Sequence, residues 1–180
     1  TNNAMLAGQY KTSLDAANET RASIPTDYLS IPAPMGNYIQ YIQMTSVLVY
    51  VRFGKWDELL QLPQPDKSHT FSNIMYHFGR GVAFAKQMKF DNAGTELDKL
   101  REWMKDTSLQ IPFSPSIKSA KVAEHLLLGV IHEERNLFEG AIRHYRLADS
   151  IEVNMVYNEP RDWMLNPKHF LGNAYLKAGR

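Results

Sequence analysis

An all-α fold is predicted for this chain, built from antiparallel helix-turn-helix units that repeat and stack. Three observations carry the prediction. The stretch Ala123–Ala148, AEHLLLGVIHEERNLFEGAIRHYRLA, reads as two amphipathic helices that meet at Glu134–Phe138. Leu126, Leu127, Val130 and Ile131 mark the apolar face of the first helix. Phe138, Ala141, Ile142, Tyr145 and Ala148 mark that of the second, at the three- and four-residue spacings a helix brings together. The second observation is a copy of this pattern at Met75–Leu100, where Gly81, Phe90, Ala93, Leu97 and Leu100 keep the same mutual spacings. The third is the series of turn aromatics Tyr10, Trp56, Phe90 and Phe138, with separations of 46, 34 and 48 residues, a period that belongs to repeat arrays. Gly129 and Ala141 are small, which lets two antiparallel helices approach closely while larger neighbours fill the flanks.

Taken in order, Gly8–Ser23 is predicted helical, with Tyr10, Leu14 and Ala17 on one face. Ile24–Gly36 holds Pro25, Pro32 and Pro34, which block helix continuation and favour extended backbone. It reads as a connection that packs Tyr28, Leu29 and Ile31 onto the helices. Asn37–Phe53 is apolar nearly all round, as for one helix buried on several sides. A turn at Gly54-Lys55 leads to a short helix, Trp56–Leu62, cut off by Pro63 and Pro65. Ser68–Lys89 and Phe90–Lys105 form the next pair. Asp106–Ser119, with Pro112 and Pro115, is a second long connection. Lys118–Arg135 and Phe138–Ile151 form the pair described first, Glu152–Pro167 connects onward, and Lys168–Ala178 closes the chain.

Gly129, Ala141, Tyr145 and Ala148 match the small–small–aromatic–small pattern of the tetratricopeptide repeat, and Phe138 matches the aromatic that opens its second helix. LGNAYLKAGR, with Leu171, Gly172, Tyr175 and Gly179, is a third match, and RFGKWDELL and AGQYKTSLDAA are partial ones. The chain therefore resembles a tetratricopeptide-repeat protein over most of its length. The resemblance implies a right-handed superhelix, an α-solenoid, in one domain over residues 1–180. Its units would be 1–23 (partial), 37–62, 68–105, 118–151 and 168–180 (partial). Against a repeat of about 34 residues, two intervals between turn aromatics carry insertions of 12 and 14 residues, and the Gly129-to-Gly172 interval one of 9. The short helix Trp56–Leu62 departs from the repeat, whose second helix is about twice as long. A narrower resemblance is to bacterial tetratricopeptide proteins with a turn like RFGKWDELL followed by prolines, and a motif like YNEPRDW before the last first-helix; it implies no particular activity. The first residues lie near a turn and the last stop at Gly179-Arg180, where a second helix is due. A fragment of a longer array is therefore expected, since terminal repeats need a capping face.

Composition narrows the function classes. Hydrophobic residues make up 44% of the chain and charged residues 22%, enough for both a sizeable core and a solvated surface. The net charge of +1 gives no global attraction to nucleic acid, acidic lipid or acidic substrate. With no cysteine there are no disulfides or thiolate metal sites. No apolar run approaches the ~20 residues of a membrane span, and TNNAMLAGQY lacks the basic and apolar segments of a signal peptide. A soluble chain is expected, in the cytoplasm or periplasm of a bacterium, without membrane insertion.

No catalytic, cofactor or metal site is predicted. His132-Glu133 begins a zinc-protease motif, but the position that needs the second histidine is Asn136. His125 and His132 are two helical turns apart, about 10.5 Å along the axis, too far to share a metal. His77, His144 and His169 have no carboxylate or histidine at i+3 or i+4 to complete a cage. His77 and His125 occupy equivalent repeat positions, where packing between helices explains both. Asp57-Glu58 and Glu133-Glu134 read as solvated charges or residues favoured by a helix dipole. Gly79-Arg80-Gly81 lies inside an apolar helical pattern, so packing explains it better than a phosphate loop. In Glu159-Pro160-Arg161-Asp162-Trp163, Trp163 is expected to anchor the connection on the helices.

Repeat arrays curve, and the resemblance places the first helix of each pair on the concave side. A groove is expected there from Met44, Leu48, Arg52, Phe78, Val82, Lys86, Leu126, Val130, Glu133, Glu134, His169 and Asn173. It is mainly apolar. Of the Lys and Asn that clamp chaperone tails in some tetratricopeptide domains, only Asn173 matches in type, so that activity is not carried over. The expected function is a non-catalytic scaffold that buries an apolar protein or peptide segment in this groove, with Arg52, Lys86, Glu133 and Glu134 setting register at the rim. A competing expectation is that the inserted connections fill the same face, because large exposed apolar patches are uncommon on monomers. Other roles in keeping with the sequence are a regulatory or substrate-recruiting segment of a larger enzyme and a self-association module forming homo-oligomers.

Overall fold

The structure, a computed structural model, describes residues 1–111, 115–156 and 163–180, and all regular structure within them is helical. The chain opens with α1 (Asn2–Leu6) and α2 (Tyr10–Ser23), then passes through a 3₁₀ turn at Thr26–Ser30. It continues with α3 (Met35–Gln43), α4 (Thr45–Phe53) and the short α5 (Trp56–Leu60). Next come α6 (Thr70–Lys86) and α7 (Phe90–Trp103), and a second 3₁₀ turn at Thr107–Gln110. The last three helices are α8 (Ser116–Glu134), α9 (Phe138–Val153) and α10 (Pro167–Lys177). Among the described residues no helix is long and apolar enough to cross a membrane.

The single helix expected over Asn37–Phe53 is two. It breaks at Met44, where φ is −95° and ψ 12°. The Thr45 hydroxyl donates to the Ile42 carbonyl at 2.9 Å, and the Met44 amide is shared between the Gln40 and Tyr41 carbonyls. A hydroxyl that competes for helix carbonyls tightens the local turn, and the axis restarts at Thr45. Helix α1 is not among the expected elements; the remaining helices begin and end within three residues of the expected positions. Pro115 and Asn166 set two starts: α8 begins directly after Pro115, and Asn166 Oδ1 accepts the Lys168 amide at 2.9 Å to cap α10, with Pro167 in the first turn.

Short turns make α6 and α7, and α8 and α9, pack as antiparallel pairs. The second pair is drawn close at Gly129. A Cβ built there would lie 2.2 Å from Cε1 of Tyr145, so the tyrosine ring occupies the space a side chain would need. The equivalent Gly81 of α6 admits Leu127 of α8, whose Cδ2 would stand 2.6 Å from a Cβ. Helix α6 is the centre of the molecule, packed by α3, α4, α5, α7 and α8 and buried on nearly every side.

The connection before α10 folds back over this centre. Trp163 is fully buried, with its ring centroid 5.4 Å from Phe78 and 6.2 Å from Tyr41. The Tyr41 hydroxyl accepts the Met164 amide at 3.1 Å. Trp163 thus anchors the connection; Glu159–Asp162, and Pro112 of the preceding connection, lie outside the described residues.

Candidate functional site

A cleft of about 530 Å³ opens where the C-terminal turns of α4, α6 and α8 meet α10. Its apolar wall comes from Met5 and Leu6 of α1, Val51 and Phe53 of α4, Trp56 of α5, Met164 and Leu165 of the last connection, and Phe170 of α10. Its polar wall is Arg52, Lys86, Glu133, Asn166, His169 and Asn173.

Glu133 is the organising charge. It is 2% exposed. One carboxylate oxygen accepts from Asn173 Nδ2 and Lys177 Nζ, both at 2.8 Å, and the other accepts from the Tyr145 hydroxyl at 3.0 Å. Lys86 Nζ stands 3.7 Å away and donates to Glu134 at 2.6 Å. Lys177 also reaches Glu134 at 3.6 Å. A buried carboxylate is tolerated only when its lone pairs are filled in this way. Burial, with Glu133 and Glu134 alongside, pushes the Tyr145 phenol far above its usual range, so it stays a donor. The hydrogen bond to Glu133 raises the Lys177 ammonium above its ordinary value.

Two lysines therefore balance two glutamates. Arg52 is left over: its guanidinium meets the His169 Nδ1 at 3.5 Å and has no carboxylate within ion-pair distance among the described residues. It is exposed at the mouth of the cleft.

The expected groove residues divide into two groups. Arg52, Lys86, Glu133, His169 and Asn173 line this cleft, with Glu134 joined to it through Lys86. Leu48, Phe78, Val82, Leu126 and Val130 do not form a surface. They are at most 1% exposed and belong to the core, and Met44 is half-buried against it. The physical reason is the connection at Trp163–Leu165, whose buried side chains join the same core cluster. The apolar face expected to be open is thus filled from within the chain. Met5, Leu6 and Met164 are cleft residues the sequence reading did not mark; they come from an irregular connection and from α1, where no repeat spacing points to them.

His77, His125 and His144 meet side chains of the neighbouring helix rather than of their own. His77 and Glu96 are buried and 2.6 Å apart, with Arg80 and Lys99 on the same carboxylate at 3.6 and 3.3 Å. Burial works to raise the Glu96 carboxyl, but His77 and the two cations outweigh it and leave it below its ordinary value. His125 and His144 bring their Nδ1 atoms to 3.3 Å, and the His132 ring lies 5.1 Å from that of His144. Spacing along one helix shows none of the histidine ring contacts, because each joins two helices through residues 12 to 19 apart in sequence; only Lys99 reaches Glu96 from within the same helix. Among the described residues no group of three or more histidine or carboxylate side chains is placed to hold a metal ion.

No protein-family model, curated protein or solved structure matches the chain.

Proposed function

We propose that the chain is a non-catalytic scaffold of the tetratricopeptide kind, its hairpins stacked as a right-handed α-solenoid, and that it binds a protein or peptide segment in the cleft between α4, α6, α8 and α10. The stacking is supported by the succession of first helices, α4 against α6, α6 against α8 and α8 against α10. The binding site is supported chiefly by one observation: Arg52, which has no carboxylate within ion-pair distance among the described residues, stands beside an apolar wall in a cleft whose lysines and glutamates pair with one another. A partner segment would seat an apolar side chain against Phe53, Trp56 and Phe170 and present an acceptor to Arg52. The buried Leu48, Phe78, Val82, Leu126 and Val130 would support the floor without touching the partner.

The test is capture of partners from a bacterial lysate by the purified chain, compared with Arg52→Glu combined with His169→Glu. Both side chains are exposed, so the double variant should fold with unchanged stability. Loss of a recurrent partner supports the cleft as the site, and undiminished capture overturns it. Self-association has its own support in Leu147 and Leu176, 43% and 77% exposed. Sedimentation that shifts with dilution would favour it, and a concentration-independent monomer would exclude it.

A further inference from the structure

The two full hairpins carry the same contact at equivalent positions, with partners of different chemistry. His77 and His125 are 48 residues apart, and so are Glu96 and His144. In α6–α7, His77 Nδ1 meets Glu96 at 2.6 Å. In α8–α9 the contact joins two imidazoles, His125 Nδ1 to His144 Nδ1 at 3.3 Å, with planes inclined by only 27° and ring centroids 5.5 Å apart. The two nitrogens therefore point nearly at one another. A histidine–glutamate contact strengthens when the imidazole gains a proton. An N–H···N contact needs one donor and one acceptor, so it holds a single proton between the facing nitrogens and fails with two.

The surroundings do not compensate. His132 donates from Nδ1 to the Leu128 carbonyl at 2.8 Å, and its ring, with centroid 5.1 Å from that of His144, offers no acceptor to the facing nitrogens. Lys121 and Glu124 face the cluster from α8, Arg101 from α7 and Arg143 from α9 itself. Glu124 is the one carboxylate among them, and Arg101 already pairs with it at 2.7 Å. From the C-terminal segment, Lys168, Lys177 and Arg180 face Asp149, Glu133 and Glu139 instead.

We propose that His125, His132 and His144 form an acid-sensitive latch between α8 and α9, closed while one proton lies between the two facing Nδ1 atoms and opened when both of them carry one. The first hairpin, with glutamate at the matching position, lacks this response. Burial and the neighbouring positive groups hold the His144 imidazole down at about 4 and lower that of His125. The latch is coupled to the cleft through the next residue of α9. Tyr145 donates to Glu133, so opening the hairpin withdraws a hydrogen bond from the central carboxylate.

Hydrogen–deuterium exchange of the full chain at about pH 7.5 and 5.0, corrected for intrinsic rates, tests this with α7 as the internal reference. Protection of α9 is expected to fall about tenfold relative to α7 on acidification, after allowing for solvent screening of half-buried rings. His144→Leu should abolish that difference. Parallel loss in α7 and α9, or a full response retained by His144→Leu, would overturn the latch. Should that variant not fold, nuclear magnetic resonance titration of the wild-type imidazoles decides: His144 titrating clearly below 6.5 is required, and titration at or above that value refutes the proposal.

Discussion

At Gly129 the absence of a methyl group sets how closely two helices approach. Exchanging a helical glycine for alanine ordinarily stabilises by about 1 kcal/mol. Here the new Cβ would lie 2.2 Å from the buried Tyr145 ring, and overpacking of this kind costs about 1–3 kcal/mol. Gly129→Ala is expected to destabilise by about 2 kcal/mol in chemical denaturation. Gly94 of α7 has nothing within 4 Å of its Cβ position, so Gly94→Ala should stabilise by about 0.5–1 kcal/mol in the same assay. Opposite signs for one substitution at two helical glycines would confirm that tertiary packing, not propensity, governs Gly129. Trp163 is the complementary case of a residue whose size matters. Fully buried against Phe78 and Tyr41, it should cost about 3–5 kcal/mol as Trp163→Ala, read as a lowered denaturation midpoint. The need for a large anchor there is visible in the sequence as a lone tryptophan in a polar connection. That it covers Phe78 is not.

Between elements, Glu133 joins α8 to α9 through Tyr145 and to α10 through Asn173 and Lys177. Removing it strands the buried Tyr145 phenol and the Asn173 amide and takes a partner from Lys177, which keeps some solvent at 42% side-chain exposure, while Lys86 retains Glu134. Glu133→Ala is expected to cost about 2–3 kcal/mol. A double-mutant cycle with Lys177→Met should return a coupling energy that a solvated surface pair would not show. The sequence alone reads Glu133-Glu134 as solvated charge at the rim of a groove, and neither residue has a lysine at i+3 or i+4. The lysine partners arrive from α6 and α10, more than forty residues away in sequence. The break at Met44 is similarly hidden: the run from Tyr38 to Val51 is apolar enough for one helix, and only the Thr45 hydroxyl contact restarts it.

For the whole molecule, stability should depend on pH in separable windows. His144 titrates near 4 in the fold against 6.5 unfolded. The unfolded chain thus binds more protons below pH 6.5, and stability falls between about 6.5 and 4. Glu96 and Asp106 are held below their ordinary 4.5 and 3.8. Burial opposes the shift in Glu96, whereas the Thr70 hydroxyl leads it in Asp106. Their contributions are present above those values and are lost as pH falls through the folded ones. Lys177, raised above 10.5, contributes below that value and loses its contribution as pH rises through the folded one. Thermal melts should show a plateau from about pH 7 to 9 and a first decline below about 6.5. A steeper fall should follow below about 4.5, and His144→Leu should remove only the first decline.

The sequence by itself determined the helical class, the order of the helices and the apolar faces of the two complete hairpins, because those features depend on local spacing and on prolines that stop a helix. Gly129, Ala141, Tyr145 and Ala148 announce their packing in this way. Only the tertiary structure decided which apolar face remained open. The tetratricopeptide resemblance assigns Leu48, Phe78 and Leu126 to a groove, but the long connection laid Trp163 and Leu165 over that core. A residue's exposure depends on every segment that reaches it, and spacing along one helix holds no record of a distant connection. The open surface is instead the cleft around Glu133 and Arg52, assembled from helix ends that meet only in three dimensions.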